Sequence, residues 1–190
     1  MQKIMFNDRY GLTQAVIEGR KTMTRRLIPD EFFGLTWDTR GNTLVYENEY
    51  GDFIDVRLSK YTRYKVGEIV SVAQNYSSFY NILDNTRPIP EGAGWDNKMF
   101  VRADLMPHRI RITGIKCERL QDIQDADCLK EGVRYIPKIN KFYFEDVHRE
   151  ERFYFDNHRE AFAALIDKVS GRGTWASNPW VVVYEFELVK

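Results

Sequence analysis

The sequence predicts an α+β fold, a small mixed β-barrel decorated with short helices. Three observations carry that expectation. Strand-like runs outnumber helix-like ones along the 190 residues, and the chain ends on a long β-run, "PWVVVYEFELV" (179–189). A composition of 43% hydrophobic and 14% aromatic residues is enough for one packed core. With no internal repeat and no low-complexity tract, residues 1–190 read as a single domain.

The elements follow in order. "GLTQAVIE" (11–18) puts Leu12, Ala15 and Val16 on one helical face, and Gly19 follows as a stop. "TMTRRLI" is extended, and Pro29 closes it. Residues 29–63 are polar and aromatic-rich, with Gly34, Gly41 and Gly51 as turn points. Within them "TLVYENEYGDFIDVRLS" alternates on both sides of Gly51 and predicts a hairpin. "YKVGEIVSVAQNY" (64–76) predicts a turn at Gly67 and a strand built on Ile69, Val70 and Val72. Residues 77–97, rich in glycine and proline, read as a long surface loop. "RIRITGIKCERL" (109–120) sends Ile110 and Ile112 one way and Arg109 and Arg111 the other, which is a half-exposed strand with a basic outer face. "QDIQDADCLKEGV" predicts a short helix with Asp122 as its N-cap and Gly132 as its stop. "DNHREAFAALIDKVSG" (156–171) has the strongest helical pattern. Asn157 and Glu160 carry capping-box spacing, and Phe162, Leu165, Ile166 and Val169 form an i, i+3, i+4, i+7 stripe. "GRGTWASNP" (171–179) reads as the exit from that helix and the turn into the closing strand.

Composition and motifs exclude several classes. Lys plus Arg number 28 and Asp plus Glu 28, which argues against a general nucleic-acid binder but leaves a local basic face open. Cys117 and Cys128, with no CxxC, read as the reduced, buried thiols of a cytoplasmic protein. No run approaches the roughly 18 apolar residues of a membrane span, and "MQKIMFNDRY" is too weakly apolar for a signal peptide, so no membrane is expected. His108, His148 and His158 share no ligand spacing, and no metal is expected. Without GxGxxG, GxxxxGK[ST] or GxSxG, no cofactor is expected either.

The sharpest signal is "GRKTMTRR" (19–26), which gathers four cations and two threonines without an acid. One reading is a solvated charged loop. The other is an anion or nucleotide site in which arginines fork onto phosphate. Lys21 sits among Arg20, Arg25 and Arg26, and like charges depress a lysine pKa when the cluster is partly buried. A lysine neutral near pH 7 can act as a base, and Thr24, three residues on, is a group for it to activate. Glu131 at a helix end beside a glycine is mildly unfavourable for the helix dipole. Tyr76, Phe79, Trp175 and Trp180 are candidates for stacking on bases, with core packing as the alternative.

The order of these pieces resembles a known family. "GRKTMTRR" resembles the G-x-K-T-x-T-x-R signature of the ASCH domain, a PUA-like β-barrel family. "YKVGEIVSV" is similar to its K-x-G-D-x-L-x-V strand entry, "RIRITGIKCERLQDIQDADCLKEGV" to its next strand and helix, and "NPWVVVYEFEL" to its closing strand. The stretches near 29–63, 77–105 and 134–170 lie outside the resemblance as insertions. It implies a PUA-like barrel whose partner is RNA or a modified nucleoside, with no cofactor. Some compact members are amidohydrolases that remove the acetyl group from N4-acetylcytidine, using a lysine, a threonine and a glutamate. Carried over, these are Lys21, Thr24 and Glu131. Arg20, Arg25, Arg26, Gln74, Tyr76 and Trp175 are then candidate substrate or nucleic-acid contacts. Larger members often carry an acid and a tryptophan in "VRETW" after the second-block strand, where this chain reads "VAQNY". Two alternatives stand beside the enzyme: a non-catalytic RNA-binding module, and an accessory domain that meets another protein through the Tyr and Phe residues of 142–155.

Overall fold

The computed structural model describes residues 1–28, 34–59, 62–80 and 92–189. In chain order the elements are β1 (Lys3–Ile4), α1 (Leu12–Ile17), β2 (Met23–Leu27), β3 (Thr36–Asp38), β4 (Thr43–Glu47), β5 (Phe53–Asp55), β6 (Ile69–Val72), β7 (Arg109–Arg119), α2 (Asp125–Lys130), β8 (Arg134–Ile136), β9 (Lys141–Asp146), β10 (Glu151–Phe155), α3 (His158–Ser170), α4 (Thr174–Ser177) and β11 (Trp180–Val189). The class is mixed α+β, with sheet predominating.

A five-stranded sheet in the order β1-β6-β7-β11-β2 forms the centre, parallel at β1–β6 and antiparallel elsewhere. β11 lies between two partners with both faces covered, and Val181, Val182, Val183 and Tyr184 are all buried. That is why its sequence is a continuous apolar run rather than an alternating one. β7 alternates as expected, with Ile110 and Ile112 inside and Arg109 and Arg111 outside. Its ladder with β11 shifts register between Glu185 and Phe186, so Thr113 opposes no residue. A bulge of this kind sharpens twist. At the far side of the sheet, Arg26 of β2 reaches across to donate to the Met5 carbonyl, beside β1, at 2.5 Å. No backbone pairing joins β1 to β2 among the described residues.

Two three-stranded sheets, β3-β4-β5 and β8-β9-β10, pack around this centre. β4 and β5 are the hairpin expected around Gly51, and β3 adds a strand that the sequence reading left out. β9 and β10 contain the aromatic run 142–155. Phe144 stacks on Phe153 and Phe155 at 5.0 and 5.8 Å, so the phenylalanines cover the core, whereas Tyr154 is exposed. The α3 stripe is buried at Phe162, Leu165 and Ile166, and the Asn157 side chain accepts from the Glu160 backbone N–H at 2.8 Å.

One capping expectation is corrected. Asp122 lies in a 3-10 turn (Leu120–Asp122), and α2 starts only at Asp125, with Gln124 at its N-cap. Ile123 is buried in extended conformation. Anchoring that side chain in the core breaks the chain between Asp122 and the helix. The exit segment 171–179 contains a further helical turn, α4, where the Asp167 carboxylate accepts from the backbone N–H groups of Gly173 and Trp175. Pro29 and residues 81–91 of the expected surface loop lie outside the described residues.

Candidate active site

The basic turn is folded inward rather than solvated. α1 ends at Ile17 with Glu18 as its C-cap, Gly19 follows with a φ of +71° that lets the chain reverse, and the N–H groups of Arg20 and Lys21 both bond the Ala15 carbonyl. The reversal aims Lys21 under the domain surface, where it is 2% exposed, and the chain enters β2 with Thr24 and Arg25 also buried. From the other side α2 delivers Glu131, 5% exposed at the helix C-cap. Gly132 follows with φ +111°, and a Cβ there would sit 2.8 Å from Leu12 Cδ2. A glycine is therefore required for Glu131 to reach the cluster.

Carboxylates answer the two innermost cations, Lys21 and Arg25. Lys21 Nζ donates to Met23 O (2.7 Å), Glu131 O (2.8 Å) and Glu131 Oε2 (2.6 Å), which uses all three ammonium protons. The second oxygen of the same carboxylate accepts from Arg25 Nη1 at 2.9 Å. The remainder of the Arg25 fork donates to Glu118 Oε1, from Nε at 2.9 Å and Nη2 at 2.6 Å, and Asp127 lies 3.5 Å from Nη2. Lys116 pairs with Glu118 and Lys130 with Asp127 at the surface. Burial pulls the Lys21 pKa below the ordinary lysine value, Glu131 opposes that pull, and the neighbouring arginines add to it. The direction matches the sequence expectation; the dominant cause is desolvation rather than the like charges invoked from sequence.

A cleft of about 270 Å³ opens onto this cluster. Lys21, Thr24, Arg25, Arg26 and Glu131 line it, Phe6 and Asn7 stand on one side, and the α3 stripe stands on another. Lys21 Nζ and the Arg26 guanidinium both lie 5.8 Å from the Phe6 ring centre. Thr24 lines the cleft, and no hydrogen bond of its hydroxyl is made among the described residues.

The other sequence candidates are placed elsewhere. Arg20 is held by Glu18 through a 2.6 Å contact from Nε. Gln74 pairs with His108 Nδ1 at 2.7 Å and borders a separate polar cleft. Tyr76 is buried in a small cluster with Phe79 and Met106, where its hydroxyl accepts from the Arg102 N–H. Trp175 packs edge-on against Phe162 with Arg159 over its ring. Trp180 stacks on Trp37 and carries Arg119 at 4.3 Å. Sequence reasoning passed over Glu118 and Asp127, the counter-charges of Arg25. A glutamate on an otherwise basic strand and an aspartate on the inner side of a short helix were the available signals.

No described group of His, Cys, Asp and Glu has the arrangement of a metal site, and no described helix is long and apolar enough to cross a membrane. No protein-family model, curated protein or solved structure matches the chain.

Proposed function

We propose that the cleft binds a nucleobase or nucleotide and hydrolyses an exocyclic amide of the N4-acetylcytidine type. The observation that carries the proposal is the buried Lys21–Glu131–Arg25 cluster beside the hydroxyl of Thr24, all lining one cleft. A cleft of about 270 Å³ falls just below the range of drug-sized ligand sites, which begins at about 300 Å³. It suits a single base better than a longer strand.

The chemistry follows from these groups. Thr24 Oγ1 adds to the amide carbonyl carbon, and its proton passes to Glu131. The Lys21 ammonium, its three protons committed to Met23 and Glu131, offsets the negative charge on the carbonyl oxygen through space rather than by a hydrogen bond. Glu131 returns the proton to the exocyclic nitrogen as the C–N bond breaks, freeing the amine and leaving an acetyl ester on Thr24. Water then hydrolyses that ester to acetate. Three acceptors around Lys21 Nζ support the ammonium role over the alternative in which neutral Lys21 is the base. The same burial counts against a module in which Lys21 contacts RNA phosphates, because the ammonium has neither exposure nor a spare proton.

The test is hydrolysis of N4-acetylcytidine by the purified protein beside Lys21→Ala and Thr24→Ala. Turnover that vanishes in both variants is the expected result. A folded wild type that leaves the amide intact overturns the reading and moves the weight to nucleic-acid binding.

A further inference from the structure

Arg25 occupies the position of the basic turn that no signature claims, the unspecified residue between Thr24 and Arg26, yet its side chain is the most deeply committed of the turn. It is 1% exposed, and its guanidinium divides between two carboxylates that belong to different elements. Nη1 meets Glu131 on the far side from Lys21, while Nε and Nη2 meet Glu118 on β7. Glu131 is thus gripped from both sides, one oxygen by each cation. Glu118 and Asp127 in turn pair with Arg25, and they connect the cluster to the surface cations Lys116 and Lys130.

We propose that Arg25 is a positioning residue, which fixes the Glu131 carboxylate against Lys21 and, through the charge it shares with Glu118, sets the pH at which Lys21 gives up its proton. The proposal rests on the reading that Lys21 and Glu131 are the chemical pair. The groups facing Lys21 define the sign of each perturbation. Glu131 faces it from the end of α2, Arg25 and Arg26 from β2, and the Phe6 ring from beyond β1. The α3 wall is apolar at Phe162, Leu165 and Ile166. Removing the Arg25 charge takes a cation from the neighbourhood and leaves Glu118 and Asp127 unneutralised, and both changes hold the Lys21 proton more tightly. Removing the Glu118 charge does the reverse, because Arg25 is then less neutralised.

The experiment titrates Lys21 directly, by its side-chain NMR signal with the resonance assigned through Lys21→Ala, in the wild type, Arg25→Met and Glu118→Gln. Expected is an upward move of the midpoint in Arg25→Met and a downward move in Glu118→Gln, each of about one pH unit or more for a charge at this range. General loosening would hydrate the site and raise both midpoints, so opposite signs separate a positioning role from a structural one. Movement in the same direction, or none, overturns the proposal. Should Arg25→Met fail to fold, Arg25→Lys, which keeps the charge and loses the fork, with Glu118→Gln decides it: the Lys21 midpoint stays near wild type in the former and falls in the latter. The titration uses no substrate, so a wild type that hydrolyses nothing defeats the functional reading without deciding this one. With turnover in hand, the alkaline limb of kcat/KM moves with the Lys21 midpoint in both variants.

Discussion

Glu131→Gln tests the energetic logic of the buried cluster. The two carboxylate oxygens are both acceptors in use, Oε2 towards Lys21 and Oε1 towards Arg25. A glutamine keeps the shape but offers one acceptor and one NH2, so one of the two cations must face a donor. The substitution also leaves the ammonium of Lys21, 2% exposed, with no carboxylate in direct contact. Breaking a buried pair from one side costs about 3–5 kcal/mol, and the folded state can relieve that cost by releasing the Lys21 proton. The sign of the pH dependence follows. In the variant the folded pKa of Lys21 falls further below its unfolded value. Between the two values the unfolded state binds more protons, and stability rises with pH at up to about 1.4 kcal/mol per unit. The destabilisation relative to wild type is therefore largest near neutrality and shrinks as pH rises. Urea unfolding of both proteins at several pH values between about 6 and 10 measures it, and alkaline ionisations common to both cancel in the difference. A penalty below about 1 kcal/mol that does not change with pH would refute the argument, since it would mean that Lys21 is hydrated rather than buried.

Two further outcomes are expected. Gly132→Ala forces a Cβ to within 2.8 Å of Leu12 Cδ2 at φ +111°, so thermal unfolding should show a loss of about 1–3 kcal/mol, and a variant as stable as wild type would contradict the close approach. Burial pushes the thiol pKa of Cys117 up from 9.0 to about 12 and that of Cys128 to about 11. Above pH 9 the unfolded chain sheds thiol protons that the folded chain keeps, so these groups lower stability as pH rises. Cys128→Ala should flatten the alkaline fall between about pH 9 and 11 by up to about 1.4 kcal/mol per unit, and an unchanged slope in urea unfolding would count against it.

Much of the fold was legible because its signals are local. The alternation of Ile110 and Ile112 with Arg109 and Arg111, the stop at Gly19, the Asn157 cap and the α3 stripe each act within a few residues, and the structure reproduces them. The start of α2 was misplaced because a tertiary demand, burial of Ile123, overrode a capping residue in the right place by sequence. The site was legible where the chain is continuous. Lys21, Thr24, Arg25 and Arg26 adjoin one another, and Glu131 was placed with them by resemblance. Tyr76 and Trp175, candidates for stacking on bases with core packing as the alternative, went into packing, since nothing in their sequence surroundings distinguishes a stacking platform from a core ring. Glu118 was invisible as the partner of Arg25 because it sits 93 residues away, across a strand pairing that local patterns do not encode.

The segment 134–170 changes what the basic turn can be. On its own "GRKTMTRR" is a hydrated cluster of like charges, which would spread and bind anions weakly. α3, the last part of that segment, lays Phe162, Leu165 and Ile166 along the cleft, with the Arg25 guanidinium 5.9 Å from the Phe162 ring centre. Such a wall lowers the local dielectric, and unpaired cations beneath it would be costly. The recruitment of Glu131, Glu118 and Asp127 is the consequence, and it converts a phosphate-seeking patch into one whose two innermost cations, Lys21 and Arg25, are held by carboxylates. What remains unspent at its surface is the Thr24 hydroxyl and the outer side of Arg26. A site whose two innermost cations are already bonded to carboxylates has little left with which to hold a polyanion, which is the reason a neutral ligand is the one proposed above.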